Sequence, residues 1–184
     1  REDAVWRPER PLLNQAFVYR RSQVVAPQKT GKGPWSAAVT AFEAAGPCVF
    51  NGWASAGEFY SCADNGCPCG WEYEYLEGEA KGIRHPSPLI QLTATSEDQV
   101  ANVYGPLKAM IKLGPLAELM RVREGFIRIL GESSDEDMDR IDVVTSSAAS
   151  RLGNPITFAV QDESGLYTVQ NKMVNTAETQ RRGA

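Results

Sequence analysis

Three stretches of this chain carry residue types that could do chemistry. The first is Ala26-Pro27-Gln28-Lys29-Thr30-Gly31-Lys32-Gly33-Pro34. A phosphate cradle needs backbone N–H groups turned inward, a helix that opens at once so that its positive end faces the anion, and a lysine for the outer phosphates. Gly31, Lys32 and a helix starting around Pro34 supply these. Against the pattern G-x-x-x-x-G-K-[ST], Gly31 and Lys32 match, Ala26 replaces the first glycine, and Gly33 replaces the hydroxyl residue. Without that hydroxyl a Mg²⁺ loses a direct ligand, for which Thr30, Ser36 or a water would substitute. Lys29 is a second candidate phosphate-facing cation, or a plain surface lysine. An exposed strand-to-helix turn explains the loop alone equally well.

The second stretch is Asp162-Glu163, just after the apolar run at 156–160 (ITFAV) and Gln161. ATP hydrolysis needs Mg²⁺ held opposite the lysine and a group that orients the attacking water. Asp162 would hold the Mg²⁺ and Glu163 would polarise the water. The plain alternative is a strand end with a capping acid. Both stretches together, each at the end of a buried strand, predict an ATP hydrolase with Lys32, Asp162 and Glu163 as its catalytic residues.

The third is Cys62-x₄-Cys67-x-Cys69, with Cys48 and His85 as possible fourth ligands. Clustered thiolates favour Zn²⁺, although the single residue between Cys67 and Cys69 departs from the usual two-residue knuckle. Free thiols are the alternative. Trp53, Trp71, Tyr73 and Tyr75 around the cluster read as core cover rather than base-stacking platforms. His85, the one histidine, reads as a surface residue between Arg84 and Pro86.

Elements must position these groups. Residues 22–26 (SQVVA) predict a short buried strand before the loop, and 34–45 an alanine-rich helix stopped by Gly46-Pro47. A second strand is expected at 48–50, and residues 51–88 read as an irregular insert. Residues 89–94 (LIQLTA) return to a strand. Ser96 to Gln99 looks like a capping box opening a helix that Gly105-Pro106 kinks or restarts. Residues 126–130 form a further strand, 132–142 an acidic solvated loop, and 171–180 a closing helix. Strands alternating with helices predict an α/β fold with a parallel sheet, in which ITFAV is a strand buried on both faces.

The 184 residues suit one domain with a real core, and the formal net charge of −4 excludes a simple basic nucleic-acid coat. No apolar run is long enough to span a bilayer, and the charged start Arg1-Glu2-Asp3 is no signal peptide. Four cysteines in a chain this size point to a reducing cytoplasm rather than a disulfide framework. An opening on Arg1 instead of methionine suggests a fragment or a processed product. Arg7, Arg10, Arg20 and Arg21 make one end basic and Arg181-Arg182 the other, which solubility alone would explain.

Taken together, YRRSQVV running into KTGKGPWSAA, AFEAAGPCVFNGWASAGE, HPSPLIQLTATSEDQVANVYGPLKAMI, SSAASRLGNPITFAVQDES and LYTVQNKMVNTAETQRRGA resemble the large terminase subunit of tailed double-stranded DNA bacteriophages, in its actinobacterial phage and prophage form. The resemblance covers nearly all of the chain from about residue 14. It implies an additional-strand P-loop NTPase with a mainly parallel central sheet flanked by helices. Its activity would be ATP hydrolysis driving DNA into a procapsid in the host cytoplasm. The implied cofactors are ATP and Mg²⁺. The implied partners are double-stranded DNA, a portal protein, a small terminase subunit and further copies in a ring. Lys32 matches the loop lysine, Asp162 the Mg²⁺ aspartate and Glu163 the catalytic glutamate. Gln28 and Lys29 fall where the family often has a basic residue, and Arg151 lies where a charge-stabilising arginine could come from. Residues 1–184 then form a single N-terminal ATPase domain that stops before a coupling segment and a nuclease domain, so no nuclease activity is expected. The alternative is a nucleotide-binding or zinc-stabilised interaction module without hydrolysis.

Overall fold

The computed structural model describes residues 21–130, 139–145 and 155–183. The first helix, α1, spans Lys32–Ala45. Gly31 precedes it in the left-handed region (φ 86), which a side chain would resist, and Pro34 sits in the first turn, where its missing N–H costs nothing. The Gly46 amide closes the helix on Phe42 O at 2.7 Å. Gly33, Ala37, Thr40 and Ala44 follow one another at spacings of four, three and four, and so share one narrow face. Ala37, Thr40 and Ala44 are buried, and small side chains there let a neighbouring helix come close.

Val49–Trp53 (β1), Phe59–Ser61 (β2), Glu72–Glu74 (β3) and Ala80–Ile83 (β4) make two antiparallel ribbons, β1 with β4 and β2 with β3. The stretch read as irregular is therefore organised. Its pairings are short, which is why no long apolar alternation marks them.

Leu89–Thr93 (β5) is buried along its whole length. Glu97–Leu113 forms α2, capped by Ser96, whose side chain accepts from the Gln99 amide. The helix runs through Gly105-Pro106 as one element, so of the expected kink or restart the restart does not occur. Met120–Val122 (β6), Phe126–Ile129 (β7), Arg140–Val144 (β8) and Phe158–Gln161 (β9) complete a five-stranded sheet in the order β6-β7-β8-β5-β9. The last helix, α3, covers Met173–Gly183.

The expected mainly parallel P-loop NTPase sheet is overturned. β5 pairs in parallel with β8 and β9, but β6–β7, β7–β8 and both ribbons are antiparallel. Residues 22–26, cast as the strand feeding the phosphate loop, join no sheet; Val24 and Val25 are 53% and 86% exposed. β9 lies at a sheet edge and is half-buried, not buried on both faces. Asp139 and Asp142, assigned to a solvated loop, are buried, and Asp142 sits within β8, where Arg140 Nε reaches it at 2.9 Å. The remaining acids of that stretch, 132–137, lie outside the described residues.

Helices cover both faces of β5. Ile90 and Leu92 join Ala37, Ala44, Val100, Val103, Leu107 and Ile111 in one apolar core under α1 and α2. Gln91 and Thr93 point the other way, as alternation requires, and meet Gln180 of α3. Each large aliphatic side chain buried in that core contributes about 1.5–3 kcal/mol.

Candidate functional site

The Gly31–Gly33 loop and the acid pair both meet α2. Residue 33 lies so close to this helix that a Cβ there would stand 2.3 Å from the Asn102 carbonyl oxygen. Three residues earlier on the same helix, Gln99 Nε2 donates to Glu163 Oε2 at 3.0 Å. Residues three apart on a helix are surface neighbours. One short stretch of α2 therefore touches both candidate stretches, and α1 also reaches β5 and β9.

The loop itself is exposed at Gln28, Lys29, Thr30, Gly31 and Pro34, whereas Lys32 and Gly33 are half-buried. Thr30 Oγ1 donates to Pro27 O at 2.8 Å, which turns its hydroxyl back into the loop. No side chain caps α1 and no acid occupies its first turn, so its leading amides are left for another acceptor. Lys32 makes no ion pair with Asp162 or Glu163 among the described residues.

Asp162 directly follows β9. Its amide donates to Thr93 O at 2.9 Å, and its Oδ1 accepts from the Glu163 amide at 3.1 Å. Tyr167 closes this corner by donating its hydroxyl to Thr93 O at 2.9 Å. Burial, with the negative charge of Asp162 beside it, pushes the Tyr167 phenol well above its usual range. Gln99 also pairs with the Thr95 hydroxyl. Sequence reasoning missed Gln99, Thr95 and Tyr167; Gln99 was visible only as the end of a capping box, and its side chain turns to Glu163 instead of back to the cap.

Lys29 (φ 62) and Glu163 (φ 46) hold left-handed backbone without being glycine; Lys172 (φ 61) is the third such residue described. Such positions cost about 1–3 kcal/mol each and cluster where a side chain must be aimed. Arg151, Arg7, Arg10 and Arg20 lie outside the described residues.

The cysteines gather in the insert. The sulfurs of Cys62, Cys67 and Cys69 lie within 4.8 Å of one another and could hold a metal ion such as zinc. The backbone folds for this: Cys67 N donates to Cys62 O at 2.8 Å across the 3-10 turn Ala63–Asn65, and Cys62 N donates to Trp71 O at 2.9 Å. Gly66 takes the left-handed backbone (φ 72) that ends the turn. Burial pushes the Cys62 thiol up to about 12 and raises Cys67 as well. Cys69 is pushed up by burial, but the Trp71 backbone and the two neighbouring thiols outweigh this and hold it below the usual thiol range. The two expected fourth ligands do not join the cluster. Cys48 Sγ donates to Glu43 O at 3.5 Å, and His85 Nδ1 accepts from the Ser87 amide at 3.1 Å. His85 is half-buried, not a surface residue.

The chain is 28% identical over 148 residues to the "Gene 13 protein" of Mycobacterium phage D29, an alignment that covers 80% of this chain and 20% of that protein. This chain thus spans about a fifth of its relative's length. No family model matches it. No solved structure matches it either, so the P-loop NTPase fold finds no support there. Among the described residues, no helix is long and apolar enough to cross a membrane.

Proposed function

We propose that this chain binds and hydrolyses ATP with Mg²⁺, as the motor part of a phage machine that drives double-stranded DNA into a procapsid in the host cytoplasm. The observation that carries this reading is the convergence on α2, where Asn102 meets the Lys32–Gly33 turn and Gln99 holds the Glu163 carboxylate. In this reading Lys32 and the uncapped amides at the start of α1 receive the phosphates. Asp162 holds the Mg²⁺, which when bound neutralises charge on the phosphate oxygens. Glu163 orients the attacking water, and Gln99 is a positioning residue for Glu163. Lys29 lends a second cation at the loop.

The likeness to a mycobacteriophage protein supports the phage setting. The portal protein, the small terminase subunit, further copies in a ring and double-stranded DNA are the partners this reading calls for. Calorimetric titration of the chain with MgATP tests the binding half. Saturable binding that Lys32→Ala weakens at least tenfold is expected; no binding, or equal binding by the variant, would sink the assignment of the loop.

Position 33 favours one second reading. With α2 pressed against it, the loop has no room for a hydroxyl that would ligate Mg²⁺. A module that binds nucleotide without turnover is the outcome if binding is found and hydrolysis is not.

A further inference from the structure

We propose that Cys62, Cys67 and Cys69 bind one Zn²⁺ through three thiolates, with the fourth position open to solvent, and that the ion clamps the β2–β3 ribbon to the 3-10 turn before Gly66. Tetrahedral zinc with Zn–S bonds of about 2.3 Å spaces its sulfurs about 3.8 Å apart. The three sulfurs already lie within 4.8 Å, so closure around an ion needs only side-chain adjustment. Among the described residues no other histidine, cysteine, aspartate or glutamate offers an atom to this group. Cys62 and Cys67 are buried and Cys69 is exposed, which puts the vacant corner of the tetrahedron on the solvent side.

A second observation points the same way. Tyr60 is 4% exposed, and its hydroxyl lies beside the Cys62 thiol. Cys62, two residues further on and just past the end of β2, and Cys67, across the turn, both bear on it. A buried donor beside a sulfur is the outer partner a metal-bound thiolate takes, and such partners typically change metal affinity 10–100-fold. The need for a clamp is also local. The insert's own core consists of Ala54, Tyr60, Cys62, Cys67 and Tyr75, two of them the ligands themselves, with Leu116 packed against it. A cluster this small gains from a metal what it lacks in apolar burial. Binding needs no oxidant: the thiol protons pass to solvent as the sulfurs coordinate.

The test is metal analysis of the chain purified without chelator, followed by Co²⁺ titration of the metal-free protein. One zinc per chain is expected, with sulfur-to-cobalt charge-transfer absorption of three thiolates. Added imidazole should shift the cobalt bands by entering the fourth position. Cys67→Ser should abolish the bands. Cys48→Ser should leave stoichiometry unchanged, and Tyr60→Phe should keep one ion while weakening affinity about tenfold. Absence of zinc together with no charge-transfer band would overturn the site, as would a thiol count showing a Cys–Cys disulfide. Bands indifferent to imidazole would mean a fourth protein ligand and overturn the open position. No nucleotide enters these measurements, so their outcome is separate from that of the ATP reading.

Discussion

Gly33 packs against the backbone carbonyl of Asn102, and Pro106 stands four residues after Asn102 in the same helix. Proline has no N–H, so the helical bond that would occupy the Asn102 carbonyl is missing. The carbonyl thus left without its helical donor is the atom that α1 approaches. The glycine that looked like a defect in a phosphate loop, and the Gly-Pro that looked like a helix break, are two sides of one helix contact.

Gly33→Ser should therefore destabilise the protein, although it makes the loop match the phosphate pattern better. Its Cβ would meet backbone, which cannot swing away, and overpacking of this kind costs about 1–3 kcal/mol. Urea unfolding checks this. A variant as stable as the parent would mean that the helices separate easily and that glycine is not required there.

Gln99→Ala should act on turnover and leave the fold intact. The Gln99–Glu163 bond is exposed, so its loss should change stability by less than about 0.5 kcal/mol. If Glu163 orients water, a freed carboxylate should lower kcat for ATP about tenfold with little change in KM. Steady-state kinetics separate this from a binding defect, which would raise KM instead.

Gln180 tests how α3 is fixed to the sheet. Its amide nitrogen donates to Gln91 Oε1 at 2.7 Å and Thr93 Oγ1 at 2.6 Å, while its oxygen accepts from Gln161 at 3.0 Å. Gln180→Leu withdraws the donor from two buried acceptors, at a cost of about 1–3 kcal/mol. A lowered denaturation midpoint is the expected result.

Much of this was legible beforehand. The alanine-rich helix, the LIQLTA strand, the Ser96 cap and the closing helix follow from periodicity and capping, which are local signals. Strand pairing is not local. SQVVA has strand composition yet joins no sheet, and RIDVV was hidden among acids although Asp142 is buried. The antiparallel β6–β7–β8 edge and the ribbons of the insert depend on partners that composition does not name. At the candidate site, Asp162 and Glu163 could be chosen by type and place, but Gln99 comes to hold the Glu163 carboxylate only because α2 lies beside the end of β9. The thiol trio was legible from spacing; that neither Cys48 nor His85 completes it was not.

His85 sets an acid-side pH dependence. Burial lowers its pKa from the usual 6.5, with the charge of Asp139 opposing, and its Nδ1 accepts from Ser87. The unfolded chain then binds the proton more readily than the folded one. This group costs nothing while both states are neutral, and stability falls as pH drops below about 6.5 towards the lower folded value. Unfolding free energies measured across that window should decline, and His85→Asn should flatten the slope. An unchanged slope in the variant would place the titrating group elsewhere.

The central claim meets its most direct test in MgATP turnover by the chain itself, compared with Glu163→Gln and Lys32→Ala. The account predicts measurable hydrolysis in the parent, loss of turnover with retained ATP binding in Glu163→Gln, and loss of both in Lys32→Ala. Turnover unaffected by Glu163→Gln, or a parent that neither binds nor hydrolyses ATP, would contradict it.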